Sequence, residues 1–476
     1  MNLNQTLQEK YPHLEVSVLK LSEVKKNIDF RIDDSFWTMK LIYNNKLNYK
    51  KIGECLLKSQ YGISINMNEE GDGIPIYRMN DIDNMLCNFE VKKYALIDKN
   101  ELQTFRLNYG DVLFNRTNSY EFVGRTGIFY NNRENFVFAS YLVRLVCNKE
   151  ILLPEYLTVF LNTHIGKKEI RRRARPSINQ ANVNPEELKE IKIPIFPMEF
   201  QLEIQNLVKD SHKALEESKE LYKKAEETLY LELGLDPKNP LQSLLDSKTN
   251  IPTNSLNISI RTLKESFLKT GRLDSEYYQS KYEDIEKFIK SYPNGYDSFS
   301  NIINNKDTNF TPKNNENYSY IELANIGNNG NISEPISDLG KNLPTRARRI
   351  VSKGDVIISS IEGSLSSCAL ITQEFDKHLV STGFFVLNSK LLNGETLLVM
   401  FKSQIFQEYL KKFPSGTILC AINKEELSKI LIPKIDSTTQ EKIAKYIQES
   451  FNLRKKSKQL LDNAKIKVEE QIQGKI

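Results

Sequence analysis

The sequence predicts an α+β protein built as two tandem copies of one mixed unit, each followed by a long helix, with the two helices pairing as an antiparallel coiled coil. Three observations carry that expectation. EELKEIKIP at 186–194 reappears as EELSKILIP at 425–433, an offset of 239 residues. After each of these segments, apolar and small residues recur by fours and threes over a long stretch. Before each, short alternating apolar runs are bounded by glycine and aspartate.

The repeat extends in both directions. Each segment leads to a glutamine (Gln201, Gln440) and then to an isoleucine (Ile204, Ile443), and SKELYKKA (218–225) answers SKQLLDNA (457–464). Upstream the register drifts by a few residues, as loop insertions require. LEVSVLKLSE (14–23) answers LNISIRTLKE (256–265), and YGDVLFNR (109–116) answers KGDVIISS (353–360). RIDDSFW (31–37) answers RLDSEYY (272–278), which places Arg31 with Arg272 and Asp33 with Asp274. Matching blocks in one order make this a tandem duplication with diverged middles.

Local patterns supply the elements. Leu14, Val16 and Val18 alternate with period two and predict a strand. Gly-Asp before Val-Leu-Phe or Val-Ile-Ile predicts a turn entering a strand. Pro154 opens a helix through Leu157, Phe160 and Leu161. Asn184 and Asn423 precede Glu186, Glu187, Glu425 and Glu426, which suits two capped helix starts with carboxylates at the positive dipole end. The first long helix has a seam of Ile204, Val208, Ser211, Leu215, Ser218, Tyr222, Ala225 and Leu229, and Gly234 and Pro237 end it. The second has Ile443, Ile447, Ser450, Ser457, Leu461, Ala464 and Val468, interrupted by Arg454. One such helix alone exposes its seam, whereas two can bury each other's; the alternative is that each helix packs on its own unit. The expected organisation is 1–199 first unit, 200–234 long helix, 235–255 linker, 256–438 second unit and 439–476 second long helix.

Composition narrows the class. A chain of 476 residues, 39% hydrophobic and 27% charged, suits a soluble protein of several domains with real cores. The opening residues lack the basic-then-apolar pattern of a signal peptide, and no apolar run approaches the roughly 18 residues of a membrane span. Cys55, Cys87, Cys147, Cys368 and Cys420 are scattered and never form CxxC, and there are only 4 histidines, so neither a disulfide framework nor a metal site is expected. A reducing cytoplasm is the expected compartment. The net charge of +5 decides little, but arginines cluster at 171–175 and again at 346–349. Such knots suit a phosphate backbone, the alternative being a solvated helix face.

The signatures of catalysis are missing. No carboxylate cluster with a lysine marks a magnesium-dependent nuclease. GxxxxGK[ST] and GxSxG are absent, and SYPNGY (291–296) lacks the second proline of an adenine methyltransferase motif and suits a turn. EGSLSS (362–367) suits a polar turn after a strand. No catalytic residue, metal or cofactor is assigned to the chain.

With the repeat established, the chain resembles the specificity subunits of type I restriction–modification systems and the related separate specificity subunits of some type II systems. The resemblance covers nearly the whole chain. It rests on the Gly-Asp-Val turns, VGRTGIF (123–129), YGISINMNEEGDGIPIYRMNDI (61–82) and the closing Ile-x-Ile-Pro…Gln-x-x-Ile before a long helix. In the second unit SLSSCALI stands in place of VGRTGIF, and the Tyr-Gly opening has no clear counterpart. The resemblance implies two target recognition domains, each reading half of a split site on double-stranded DNA. It implies paired helices that set the spacing and dock methyltransferase subunits. Those subunits carry the adenine methylation with S-adenosylmethionine, a restriction and motor subunit joins some assemblies, and no membrane is involved. A helix over 200–231 spans roughly 45–50 Å, more than one DNA turn of roughly 34–36 Å.

Arginine grips guanine and asparagine adenine through paired hydrogen bonds, so the first-unit candidates for base contacts are Arg78, Asn80, Asn115, Arg116, Asn118 and Arg125. Arg171, Arg172, Arg173, Arg175 and Asn179 suit the backbone. In the second unit the candidates are Lys341, Thr345, Arg346, Arg348 and Arg349, with Ser359, Ser360 and Ser364 behind them. For any one of these the alternative is a surface salt bridge. Two other functions compete with the DNA-recognition reading: a self-contained methyltransferase or nuclease, and a coiled-coil scaffold that binds only protein.

Overall fold

Each Gly-Asp turn delivers the chain into the middle of a sheet. Gly110 and Gly354 take φ of 89° and 87°, a region that favours glycine. The aspartate that follows closes the turn: Asp111 Oδ2 accepts from the backbone N–H of Asn108 at 2.9 Å, and Asp355 Oδ2 from that of Ser352 at 2.7 Å. The strands that follow, Val112–Asn115 and Val356–Ser359, are buried throughout.

The computed structural model describes residues 3–474 except 15, 17, 40, 42, 132–134, 247–259 and 417–418. The chain divides into two compact units, Met1–Leu215 with Lys455–Ile476 and Glu216–Arg454, so each takes part of both long helices. Much of the expected 235–255 linker, and the start of the 256–265 block, lie outside the described residues; Pro240–Asp246 within the linker is helical.

In the first unit a six-stranded sheet runs in the order Leu56–Tyr61, Leu142–Cys147, Val112–Asn115, Thr126–Ile128, Leu86–Cys87, Ile82–Asp83. A second sheet has Ile74–Tyr77 in the middle, parallel to Val137–Phe138 and antiparallel to Tyr94–Ala95. The second unit keeps the frame. Its central sheet runs Ile303–Asn305, Phe384–Ser389, Val356–Ser359, Cys368–Leu370. In its other sheet Asn317–Ile321 is parallel to Leu379–Ser381, with Ile336–Leu339 and Ala347–Ile350 at the edges. Cys368–Leu370 occupies the place of Thr126–Ile128, so SLSSCALI does stand for VGRTGIF. Farther along the 61–82 segment, the strand Ile74–Tyr77 has a structural counterpart in Asn317–Ile321.

The long helices are Met198–Glu232 and Ser437–Gln473. Gly234, at φ 76°, ends the first, with Leu235 N–H returning to the Tyr230 carbonyl at 2.8 Å. Within the first unit the helices run antiparallel, with Glu203 on Lys467 at 2.7 Å and Ser211 Oγ against Ser457 Oγ at 2.8 Å. Within the second unit they do so again, with Ser218 Oγ against Ser450 Oγ at 2.9 Å and Thr439 Oγ1 donating to Glu232 at 2.7 Å. The two serine pairs use repeat-equivalent residues in exchanged roles. The helices also pack on their units: Ile204, Val208, Leu461, Ala464 and Val468 join the first core, and Tyr222, Ala225, Leu229, Ile443 and Ile447 the second. Pairing and packing on a unit, offered by the sequence as alternatives, both occur, because burying a seam on two sides removes more apolar surface from water.

Two polar devices are duplicated. Gln201 donates to the Ile151 and Phe196 carbonyls and accepts from Leu153 N–H; Gln440 donates to Leu391 and Ile435 and accepts from Asn393 N–H. Arg31 is held by Asp33 and, at 2.9 Å, by Glu187; Arg272 by Asp274 and, at 3.8 Å, by Glu426. The second glutamates of both Glu-Glu pairs do lie in the first turns of helices capped by Asn184 and Asn423, and they serve these arginines as well.

One expected strand is not seen among the described residues: Leu14, Val16 and Val18 lie outside any strand, beside the helix Leu3–Lys10. That helix's side-chain amides take the backbone bonds a neighbouring strand would have made: Asn4 Oδ1 accepts from Val18 N–H and Gln8 Oε1 from Val16 N–H. Period two alone cannot supply a pairing partner.

Candidate nucleic-acid interface

Proline and an Asn turn build an exposed element of the first unit. Arg175–Ser177 and Gln180–Asn182 form a hairpin whose register, Ser177 opposite Gln180, leaves Ile178 and Asn179 as the turn. Asn179 adopts φ 58°, which asparagine tolerates, and Ile178 is 91% exposed. The hairpin continues into Thr117–Asn118, so Asn118, Arg175 and Asn179 share one small sheet. Arg116 braces it from below: its guanidinium lies over Tyr61 and donates to Asn182 Oδ1 at 3.2 Å and to the Ser140 carbonyl.

The arginine knot at 171–175 does not act as one patch. The helix His164–Arg173 turns successive residues to different faces. Arg171 faces solvent beside a shallow recess lined by Met39, His164, Lys167 and Lys168. Arg172 lies over Phe36 and donates to its carbonyl at 2.6 Å; burial and the neighbouring Arg173 lower its pKa. Arg173 is buried in an ion pair with Glu169, one turn back, and Arg175 pairs with Asp29. Lys167 completes the outward cationic group. Its ammonium is depressed by burial first, then by Lys465, Arg171 and Arg125, with Glu469 opposing, so three other cations act on it. Lys167 is legible in sequence as the residue one turn before Arg171. Lys465 arrives from the far end of the chain and carries no local signal.

The remaining first-unit candidates separate by burial. Arg125 stacks on Phe122 and is half-buried, as is Asn118, whose Oδ1 accepts from Ser119 N–H. Asn80 is exposed on the turn Met79–Asp81, and Arg78 opens that turn with Nε 3.4 Å from Asp81. Asn115 is fully buried at the end of the central strand, and neither polar atom of its side chain has a partner among the described residues.

In the second unit Lys341, Thr345 and Arg346 are exposed on the segment leading into the edge strand Ala347–Ile350. Arg348 is half-buried and donates to the Thr345 carbonyl at 2.7 Å. Arg349 turns inward to the Phe384 carbonyl, and burial lowers its pKa. Ser359, aligned with Asn115, is 2% exposed and bonds Ser364 at 2.8 Å, while Ser360 donates to the Gly383 carbonyl. Ser359 is therefore buried, Ser360 and Ser364 are half-buried, and Ser359 pairs in the sheet with Phe384, whose carbonyl also takes Arg349. A reduced version of the hairpin is kept, with Ser415 opposite Ala421 and Ala421 opposite Ile361. All five cysteines are free, and among the described residues no helix is long and apolar enough to cross a membrane.

What the arrangement can do is bind a polyanion through outward arginines and lysines and present polar side chains on turns of defined geometry. Residues 50–227 match the family described as Type I restriction modification DNA specificity domain. A putative type I restriction enzyme MjaX specificity subunit from Methanocaldococcus jannaschii is 22% identical over 424 residues, 88% of this chain and 91% of that protein. The type I restriction enzyme EcoKI specificity subunit of Escherichia coli is 27% identical over 161 residues, 33% of this chain and 34% of its own. Among solved structures, the S subunit of a type I restriction–modification system from M. genitalium aligns with 90% of this chain and 96% of its own at 15% identity, with a TM-score of 0.41.

Proposed function

We propose, from the premise that the chain belongs with the DNA specificity subunits of type I restriction–modification systems, that each of its two units reads one half of a split DNA site. The single observation behind the split is the duplication: one frame twice, with different side chains on the turns. The paired helices set the length of the unread gap and dock methyltransferase subunits. Methylation with S-adenosylmethionine is then the partners' work, a restriction subunit completes some assemblies, and the cytoplasm is where the complex acts.

The outward cations supply the sequence-independent part of affinity by releasing counterions, and turn residues supply discrimination. Footprinting of a methyltransferase complex containing the chain tests this. Two short protected tracts separated by a fixed gap are expected; continuous or sequence-independent protection refutes the split reader. Methyl transfer or cleavage by the isolated chain refutes the assignment of chemistry to partners.

A further inference from the structure

The strand Ile74–Tyr77 pairs parallel with Val137–Phe138, Tyr77 opposite Phe138; Asn317–Ile321 pairs parallel with Leu379–Ser381, Ile321 opposite Val380. Each strand runs straight into a one-turn 3-10 helix, Met79–Asp81 in one unit and Leu323–Asn325 in the other. The residue between strand and turn is Arg78 in the first and Glu322 in the second. Their backbones agree, at φ −118°, ψ 177° and φ −107°, ψ 174°. Each backbone N–H is held by the side chain three residues on, Asp81 Oδ2 and Asn325 Oδ1, both at 2.8 Å. The duplication thus puts a guanidinium and a carboxylate at one address.

Both side chains are partly exposed. Among the described residues Arg78 has one long contact, Nε 3.4 Å from Asp81, and the Glu322 carboxylate is in no ion pair. Glu322 follows Tyr320, whose hydroxyl is raised by burial, lowered by a Ser381 hydrogen bond and by Arg346, and raised by Glu322. A carboxylate on a DNA-facing surface is repelled by phosphate, so its favourable partner there is an amino group on a base edge.

We propose that this turn is a base-reading position in both halves of the molecule, Arg78 specifying guanine through its paired donors and Glu322 specifying cytosine through its amino group. This rests on the DNA-reading function above. It assigns the same base pair to both half-sites in opposite orientations, which is how a duplicated frame comes to read an asymmetric site. The carboxylate is acceptor-only and the guanidinium donor-only, so neither can substitute for the other.

Selection from a randomised duplex library by the methyltransferase complex, at fixed salt, tests it with Arg78→Glu and Glu322→Arg, alongside the milder Arg78→Ala and Glu322→Gln. Each variant should change the preference at one position of one half-site and leave the other half-site and the gap alone. The charge swaps should exchange guanine and cytosine there, and the milder pair should lower discrimination at that position by about ten- to a hundredfold. Binding that weakens or strengthens equally for all sequences, or preference unchanged at every position, overturns the proposal while leaving the split reader intact. Failure of the wild-type complex to select any split sequence overturns both.

Discussion

Arg31 in the first unit and Arg272 in the second stand in the same frame, each gripped by an aspartate two residues on and a glutamate from a capped helix. Arg78 and Glu322 also stand in the same frame, yet carry opposite charge. The contrast separates residues by task. Positions whose side chains close onto the unit's own backbone are retained in both copies, because losing a buried partner costs each unit alone. Positions whose side chains face outward have diverged, down to reversal of charge. Asn115 and Ser359 lie between: same place and same burial, but the serine has found Ser364 while the asparagine amide has no partner.

Breaking the shared frame should give the largest effects. Arg31→Ala leaves Glu187, 1% exposed, with only Arg175 at 3.8 Å, and should destabilise the first unit by about 3–5 kcal/mol in denaturant unfolding. Arg272→Ala should cost less, since Glu426 sits 3.8 Å away rather than 2.9 Å. Gln201→Ala and Gln440→Ala each orphan two carbonyls and an N–H; equal losses of about 1–3 kcal/mol are expected, and a large inequality would show that the two clamps have diverged. Ser211→Ala and Ser218→Ala remove one partner of each serine pair and should each cost about 1 kcal/mol.

A further effect separates the units by pH. Burial raises the Glu226 carboxyl from 4.5 to about 7, with Lys402 opposing, whereas the residue 239 positions on is Lys465. A carboxyl raised by folding binds more protons in the native state, so the second unit's stability should fall as pH climbs from 4.5 to about 7. Glu226→Gln should flatten that slope, as read by thermal unfolding across the window. An unchanged slope would place the titration elsewhere.

Much of the frame was legible because it is written as pattern. The Gly-Asp turns, the Asn caps and both seams follow from local geometry, and the offset of 239 residues that joins EELKEIKIP to EELSKILIP revealed the duplication before any contact was known. The equivalence of Arg78 and Glu322 was not legible, since the strands before them share almost no letters and only parallel pairing aligns them. Nor could the arginine knot be resolved: only folding shows that Arg173 turns in to Glu169 while Arg171 turns out. Alternation at Leu14, Val16 and Val18 carries no information about a pairing partner, and these three residues lie outside any strand.

The central claim is that two copies of one frame read independently. Replacing residues 25–185 with the corresponding segment of a relative, then sequencing the methylated sites made by the assembled complex, tests it most directly. One half of the recognised sequence should change while the other half and the gap persist. A change in both halves, or an altered gap with both halves retained, would contradict the account.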